Sequence, residues 1–386
     1  MKHEELKEAI KALQKHIESS EYRGFDPYDG LESPIFQWPI FRSWKSFRFY
    51  AQQLVKRSSI NLRPLLGIKP GLNPVTLGLC LQSYSYLALA DPSEKETYLQ
   101  HAEAMIDQLS KLRSEGYNGL CWGYNFDWEA RYASIPAFAP TIVATGIITN
   151  ALYENWSLHG NERSKEMLLQ SRAFVLEDLN RSQSPNGICF SYSPLDQQLV
   201  LNASMKAARL LAQCYSIAPD REDRKVALDT VNYVLSQQAE DGSFPYSDKR
   251  SKIDHYHTAY VIDCLHSCQT LLQEASIFPS LEKAYAFYKN DLITDQGHPK
   301  FYSDAEFPLD CTAAGQGILS LCRFQDLEIA SEMASYTIQE MQSPKGSFYF
   351  RKYPPKTNKS SFMRWSDAWM FAGLSSLLFH QQNRKA

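Results

Sequence analysis

Four loops in this chain carry more polar and aromatic side chains than a turn needs. In the first, residues 121–131, Trp122, Tyr124 and Trp128 could stack on sugar rings, while Asp127, Glu129 and Arg131 offer an acid, a base and an anion clamp. A plainer reading has the rings packed between helices and the charges paired with one another. The second loop, 250–257, ends in Asp254, His255 and His257 at the start of an apolar stretch. Imidazole titrates near neutral pH and a carboxylate can fix its tautomer, so these three form a candidate general acid/base group. Asp254 reads equally as a helix N-cap, and a metal site here lacks an evident third ligand. The third loop holds Tyr302 and Asp304 ahead of Asp310, itself an N-cap by position. In the fourth region Arg364 and Asp367 open another apolar helix. The Arg364 guanidinium could hold a substrate carboxylate bidentately or pair with Asp367 one turn on.

Each loop precedes a run of small and apolar residues, which points to the elements that position them. Such runs begin near Pro74, Pro140, Val200, His257, Asp310 and Arg364, at intervals that accommodate a helical hairpin and a structured loop. They are apolar nearly all round, as helices buried on most sides are. Between them lie amphipathic segments: 42–56, 99–112, 163–181, 221–238, 280–291 and 326–341. In 99–112, Leu99, Ala102, Ile106, Leu109 and Leu112 recur every three or four residues among charged neighbours. Six wet helices alternating with six buried ones predict an all-α fold, an (α/α)6 toroid. Closing the ring leaves no raw end to cap, unlike an open superhelical array. The first helix, about residues 3–18, and the Pro- and Gly-punctuated stretch to residue 41 fall outside this count as a lid-like N-terminal segment, leaving 42–386 as one toroid domain.

A short motif recurs before the buried helices. Gln183, Gly187 and Cys189 share their spacing with Gln238, Gly242 and Phe244, and with Gln342, Gly346 and Phe348. Degenerate copies lie at Gly119–Trp122 and Gly297–Phe301. The pattern resembles the QW repeats of terpene cyclases and protein prenyltransferases, which implies the α/α-toroid fold over about residues 45–380. The acid and diphosphate-binding motifs of those enzymes are missing, and Asp310–Cys311 does not match their zinc set. The stretches around Tyr256-His257-Thr258 and Arg364–Leu378 are also similar to uncharacterised toroid proteins of bacterial surface-polysaccharide gene clusters, and the first to the helical domain of heparosan-glucuronate C5-epimerase. This second resemblance implies a carbohydrate substrate.

Bulk composition narrows the classes. The net charge of −3 over 386 residues gives no reason to expect a polyanion partner such as nucleic acid. The first twenty residues form a charged amphipathic helix without the apolar core of a secretory signal, and the best apolar run, 141–152, contains Thr and Asn. The eight cysteines form no CxxC pair. Cys121, Cys189 and Cys311 could be imagined as a zinc set, but small buried thiols are the ordinary explanation. The expectation is a cytoplasmic protein with no membrane span, metal or cofactor, of open oligomeric state. Its expected role is that of a sugar- or uronate-acting epimerase, lyase or hydrolase of surface-polysaccharide metabolism. Two other readings stand beside it: an isoprenoid cyclase with an apolar cavity and one strong acid, and a non-catalytic toroid that binds a glycan or protein.

Overall fold

A computed structural model describes residues 3–58, 60–130, 133–246 and 252–384. Its helices, in chain order, are α1 (His3–Ser19), α2 (Pro39–Arg42), α3 (Lys45–Arg57), α4 (Pro74–Ala90), α5 (Lys95–Lys111), α6 (Ile142–His159) and α7 (Glu162–Gln170). They continue with α8 (Leu201–Ile217), α9 (Arg221–Leu235), α10 (His255–Leu271), α11 (Phe278–Asp291), α12 (Cys311–Arg323), α13 (Leu327–Met341) and α14 (Trp369–Asn383). The even-numbered helices from α4 to α14 form the inner layer. Each packs on the next, and α14 returns to pack on α4, so the ring closes.

The inner helices start where their sequences supply caps. Asn73 accepts from the Val75 amide ahead of Pro74, Thr141 accepts from Ala144, and Asp310 accepts from Thr312 and Ala313. Almost every residue of α4 and α12 is buried, as is every residue of α6 from Ile142 to Leu152, which explains why their sequences show no wet face. Small residues set the spacing between neighbours. A Cβ on Gly373 of α14 would lie 2.6 Å from the Gly315 carbonyl oxygen on α12, so only glycine permits that approach.

The outer layer differs from the sequence count in one place. Helices α5, α7, α9, α11 and α13 back the ring as expected, but the sixth backing helix is α1, which packs on α14. Leu6, Ile10, Leu13 and Ile17 are all buried along one stripe of α1. The repeat motif seats it. Gln342 Nε2 donates to the Gly346 carbonyl within its own turn and to the Ala9 carbonyl of α1. Gln238 donates in the same way to Gly242 and to Ser280 of α11. The motif therefore ties each turn to the next outer helix along its length rather than capping a helix end. Gln183 departs from this, standing exposed in a hairpin of Arg181–Ser184 with Gly187–Phe190.

Segment 42–56, expected to back the first inner helix, instead contributes α3, which lies against the 29–32 turn and the Trp128–Glu129 strand at the end of the ring where the inner helices begin. Its Arg48 and Gln52 bind the 121–131 loop, a polar footing that an outer-layer helix does not need.

Candidate functional site

The loops before the inner helices converge at one end of the ring around a cavity of about 450 Å³. Tyr124 and Trp128 come from the loop before α6, Tyr192 and Gln198 from that before α8, Tyr246 from that before α10, and Tyr256 from the first turn of α10. Tyr302 precedes α12, while Arg351 lies in the hairpin of Tyr349–Tyr353 with Lys356–Ser361. Arg364 and Trp365 sit on the π-helical turn Met363–Ala368 that leads into α14. Helix α3 adds Phe49, Gln53 and Lys56 from above.

One expected group has the geometry of an acid/base. Asp254 caps α10 by accepting the His257 amide at 3.0 Å, and its other oxygen lies 2.6 Å from His257 Nδ1. That bond fixes Nδ1–H and leaves Nε2, which makes no hydrogen bond among the described residues, as the nitrogen for proton exchange. His257 is on the cavity wall, with the Tyr256 and Tyr246 rings 4.1 and 4.5 Å away.

His255 is a different case. It is wholly buried behind the wall, bonded to the Tyr288 hydroxyl at 3.1 Å, and burial pushes its pKa down to about 3. It is a neutral core residue, because its place in the first turn of α10 faces the outer helix α11 rather than the cavity.

The 121–131 loop divides between core and cavity. Trp122 is fully buried, its Nε1 donating to the Leu109 carbonyl, so it packs between helices instead of meeting a ligand. Trp128 does line the cavity, 5.3 Å from the Tyr192 ring. Tyr124 lines it as well, with its hydroxyl 3.2 Å from that of Tyr192. Burial pushes both phenols up, so a phenolate base at Tyr124 is disfavoured and the pair serves as neutral donors and acceptors. Asp127 is turned away, accepting Arg48 at 2.9 Å and the Ala137 amide at 2.9 Å. Glu129 borders the cavity but is 2% exposed and held by Arg48, Ser134 and the Gln52 side chain. Arg131 lies outside the described residues.

The arginine at the start of the last inner helix is also spoken for. Arg364 Nε and Nη2 bind the two oxygens of Asp26 at 2.6 and 2.9 Å, and both residues are buried. The carboxylate it grips therefore comes from the N-terminal segment, 338 residues away in sequence, and is neither a substrate's nor Asp367's. Asp367 is buried away from the cavity, accepting the Phe348 amide and the Ser361 hydroxyl. Arg351 is neutralised in turn by Asp310 at 2.5 Å, which also receives the Trp365 indole N–H. Of the third loop, Tyr302 reaches the cavity, whereas Asp304 is exposed beside Lys252.

Several wall residues were not singled out from sequence. Asn202, in the first turn of α8, is 3% exposed and borders the cavity, and its Nδ2 donor has no partner among the described residues. Lys56 donates to the Tyr28 hydroxyl at 2.5 Å, and burial draws its pKa below the ordinary lysine value. Beneath the cavity the ring axis is polar. Arg323 binds Glu154 and Asp263 at 3.1 and 3.4 Å, and Lys206 lies over Tyr260, pushed down to about 7 by burial and by Arg209. Among the described residues, no three His, Cys, Asp or Glu side chains form a metal-binding group. Cys121, Cys189 and Cys311 are separate buried thiols.

Solved structures share this architecture. A cellobiose 2-epimerase from Bacillus thermoamylovorans aligns with a TM-score of 0.61 at 12% identity, over 80% of this chain and 87% of its own. An unsaturated glucuronyl hydrolase from Bacillus sp. GL1 aligns at 0.60 and 10%, over 96% and 94%. A family 76 α-mannanase from Bacteroides thetaiotaomicron aligns at 0.60 and 13%, over 81% and 87%. The likeness is one of fold. No protein-family model matches the sequence, and no curated protein does either.

Proposed function

We propose that this protein is an enzyme that binds a sugar in the aromatic-walled cavity and transfers a proton at a carbon next to a carbonyl, as an epimerase does. The observation that carries the proposal is His257 on that wall, its Nδ1 held by the Asp254 carboxylate. His257 Nε2 takes the proton from carbon and the electron pair moves onto the carbonyl oxygen as an enediolate; a proton delivered from water to the opposite face of that carbon gives the epimer, and the imidazolium passes its own proton to solvent. Asp254 stabilises the imidazolium formed in the first step. The unpartnered Asn202 amide and the Lys56 ammonium are the donors available to the developing oxyanion. Trp128, Trp365 and the surrounding tyrosines offer stacking faces for pyranose rings. Solved structures with the same ring include proteins named as sugar epimerases.

The alternatives fit less well. A glycoside hydrolase needs two carboxylates across the scissile bond. Among the described residues Glu129 is the one acidic side chain on the wall of the large cavity, and it is already bound. A uronate clamp at Arg364 is blocked on its Nε edge by Asp26. An isoprenoid cyclase calls for an apolar cavity, whereas these walls carry His257, Lys56, Arg351 and Arg364. Turnover of reducing disaccharides and of glucuronate-containing oligosaccharides is the test. The His257→Gln variant is expected to lose about 10²–10⁴-fold in kcat while still binding sugar. Undiminished turnover by that variant would remove the proposal.

A further inference from the structure

Helix α3 has three faces with three different fates. Arg48, Gln52 and Val55 are buried against the protein, and Phe49, Gln53 and Lys56 line the cavity. The remaining stripe of Phe47, Tyr50 and Leu54 turns outward, with Tyr50 70% and Leu54 69% exposed. The turns around the helix expose further large apolar side chains. Trp38 is 66%, Ile40 69%, Trp44 59% and Leu65 82% exposed. The rings of Phe41 and Trp44 both stack on Phe47, at 5.0 and 5.5 Å, which joins α2 and the start of α3 into one apolar surface. Most of the exposed large apolar side chains of the described protein fall within this one stretch of chain. Scattered exposed apolar residues are normal, but so many large ones within one short stretch of chain are not.

The charge of the same stretch is one-sided. Between Pro34 and Gly71 the sequence has Arg42, Lys45, Arg48, Lys56, Arg57, Arg63 and Lys69 and neither Asp nor Glu, in a chain whose net charge is −3. Arg48 and Arg63 are consumed in buried ion pairs. Lys45, although 3.9 Å from Glu129, Arg57 at the cavity mouth and Lys69 are exposed. Indole and phenol rings with an apolar body and a polar tip, set among lysine and arginine, suit the boundary between lipid headgroups and acyl chains. Basic side chains near an anionic leaflet add electrostatic attraction. A second copy of this chain is a poorer occupant, because a two-fold interface would press this basic surface against itself.

We propose that the face formed by α2, α3 and the following turn docks on an anionic lipid bilayer, holding the cavity mouth against the membrane surface. No helix of the described residues is long and apolar enough to cross a membrane, so the contact is interfacial. The proposal rests on the exposed surface and is independent of the chemistry assigned to the cavity.

Co-sedimentation of the full chain with vesicles tests it. One vesicle is phosphatidylcholine containing about one third phosphatidylglycerol, and the other is phosphatidylcholine alone. The expected result is binding to the anionic vesicle at least about tenfold tighter than to the neutral one, falling as salt screens the charges. A variant combining Trp38→Ala, Trp44→Ala and Leu54→Ser is expected to lose that binding while remaining folded by circular dichroism, since these side chains are exposed. Should the triple variant misfold, Lys69→Glu with Trp38→Ala gives the same comparison. Equal binding to both vesicles, no binding to either, or undiminished binding by the variants overturns the proposal. So does a dimer in sedimentation velocity that the triple variant converts to monomer without any change at vesicles.

Discussion

His255 and His257 sit two residues apart on one helix and have opposite fates, which shows how little separates a core imidazole from one on a cavity wall. The 100° step per residue turns His255 toward Tyr288 of the outer layer and His257 toward the cavity. The sequence motif Asp-His-Tyr-His was legible as an acid/base group, and Asp254 does serve as both cap and partner. Which histidine it serves was not legible, because that depends on where α11 packs. The buried histidine leaves a thermodynamic trace. Its pKa of about 3 lies below the ordinary value near 6.5, so between these pH values the unfolded chain holds a proton that the folded one does not. Stability from this group is therefore constant above about pH 6.5 and falls by about 1.4 kcal/mol per pH unit as pH drops toward 3. Urea unfolding at pH 7 and pH 5 should show a smaller pH-dependent loss for His255→Gln than for the native chain. Equal losses would mean that His255 titrates normally. The same scale explains the charges that went astray. Asp127, Asp367 and Arg364 read in sequence as open to a ligand or paired with near neighbours, because their actual partners Arg48, Ser361 and Asp26 come from elsewhere in the chain or from a neighbouring turn whose direction the sequence does not give.

At the scale of elements, the inner helices were legible because burial on all sides leaves an unmistakable composition, small and apolar with a capping residue at the start. The outer helices were legible by period, but their assignment to the ring was not. Both α1 and α3 are amphipathic, and only the packing shows that α1 closes the outer layer while α3 crosses the mouth. The repeat glycines do carry that information. Gly346 has φ +90°, and a Cβ there would meet the Ala12 carbonyl oxygen of α1 at 2.2 Å. Gly116 has a similar φ of +87° with nothing within 4 Å. Replacement by alanine should therefore cost about 1–2 kcal/mol at Gly116, the backbone cost alone. At Gly346 the cost should be larger by about a further 1–3 kcal/mol, because α1 must shift as well. Chemical denaturation of the two variants makes the comparison, and equal costs would mean that α1 is not held at that turn.

Across the whole molecule, the N-terminal segment and the last inner helix are locked together by the buried Asp26–Arg364 pair, and Asp29 binds Arg63 beside it. The pair sits at the cavity rim and connects residues near opposite ends of the chain. Removing one member leaves the other charged and buried, at a cost of about 3–5 kcal/mol, whereas replacing both with apolar residues is far milder. Asp26→Ala should thus lower stability sharply, and Asp26→Ala combined with Arg364→Met should recover much of the loss in thermal unfolding. Additive losses would contradict the coupling. The alternation of helix types made the ring readable as a whole, while the convergence of its loops on one cavity supplied what no single motif did. Tyr192, Asn202 and Tyr246 share a cavity wall with His257 because successive hairpins bring their loops and first turns to the same end of the ring.

The central claim is that His257 moves a proton on a bound sugar. The most direct test incubates the protein in deuterium oxide with cellobiose and with glucuronate-containing oligosaccharides, following by NMR the carbon–hydrogen signals beside the carbonyl or carboxylate. The account predicts that the native chain exchanges one of these hydrogens for deuterium and that folded His257→Gln does not. Exchange that persists in the variant, cleavage of the glycosidic bond without exchange, or no exchange on any of these sugars by the native chain would contradict it.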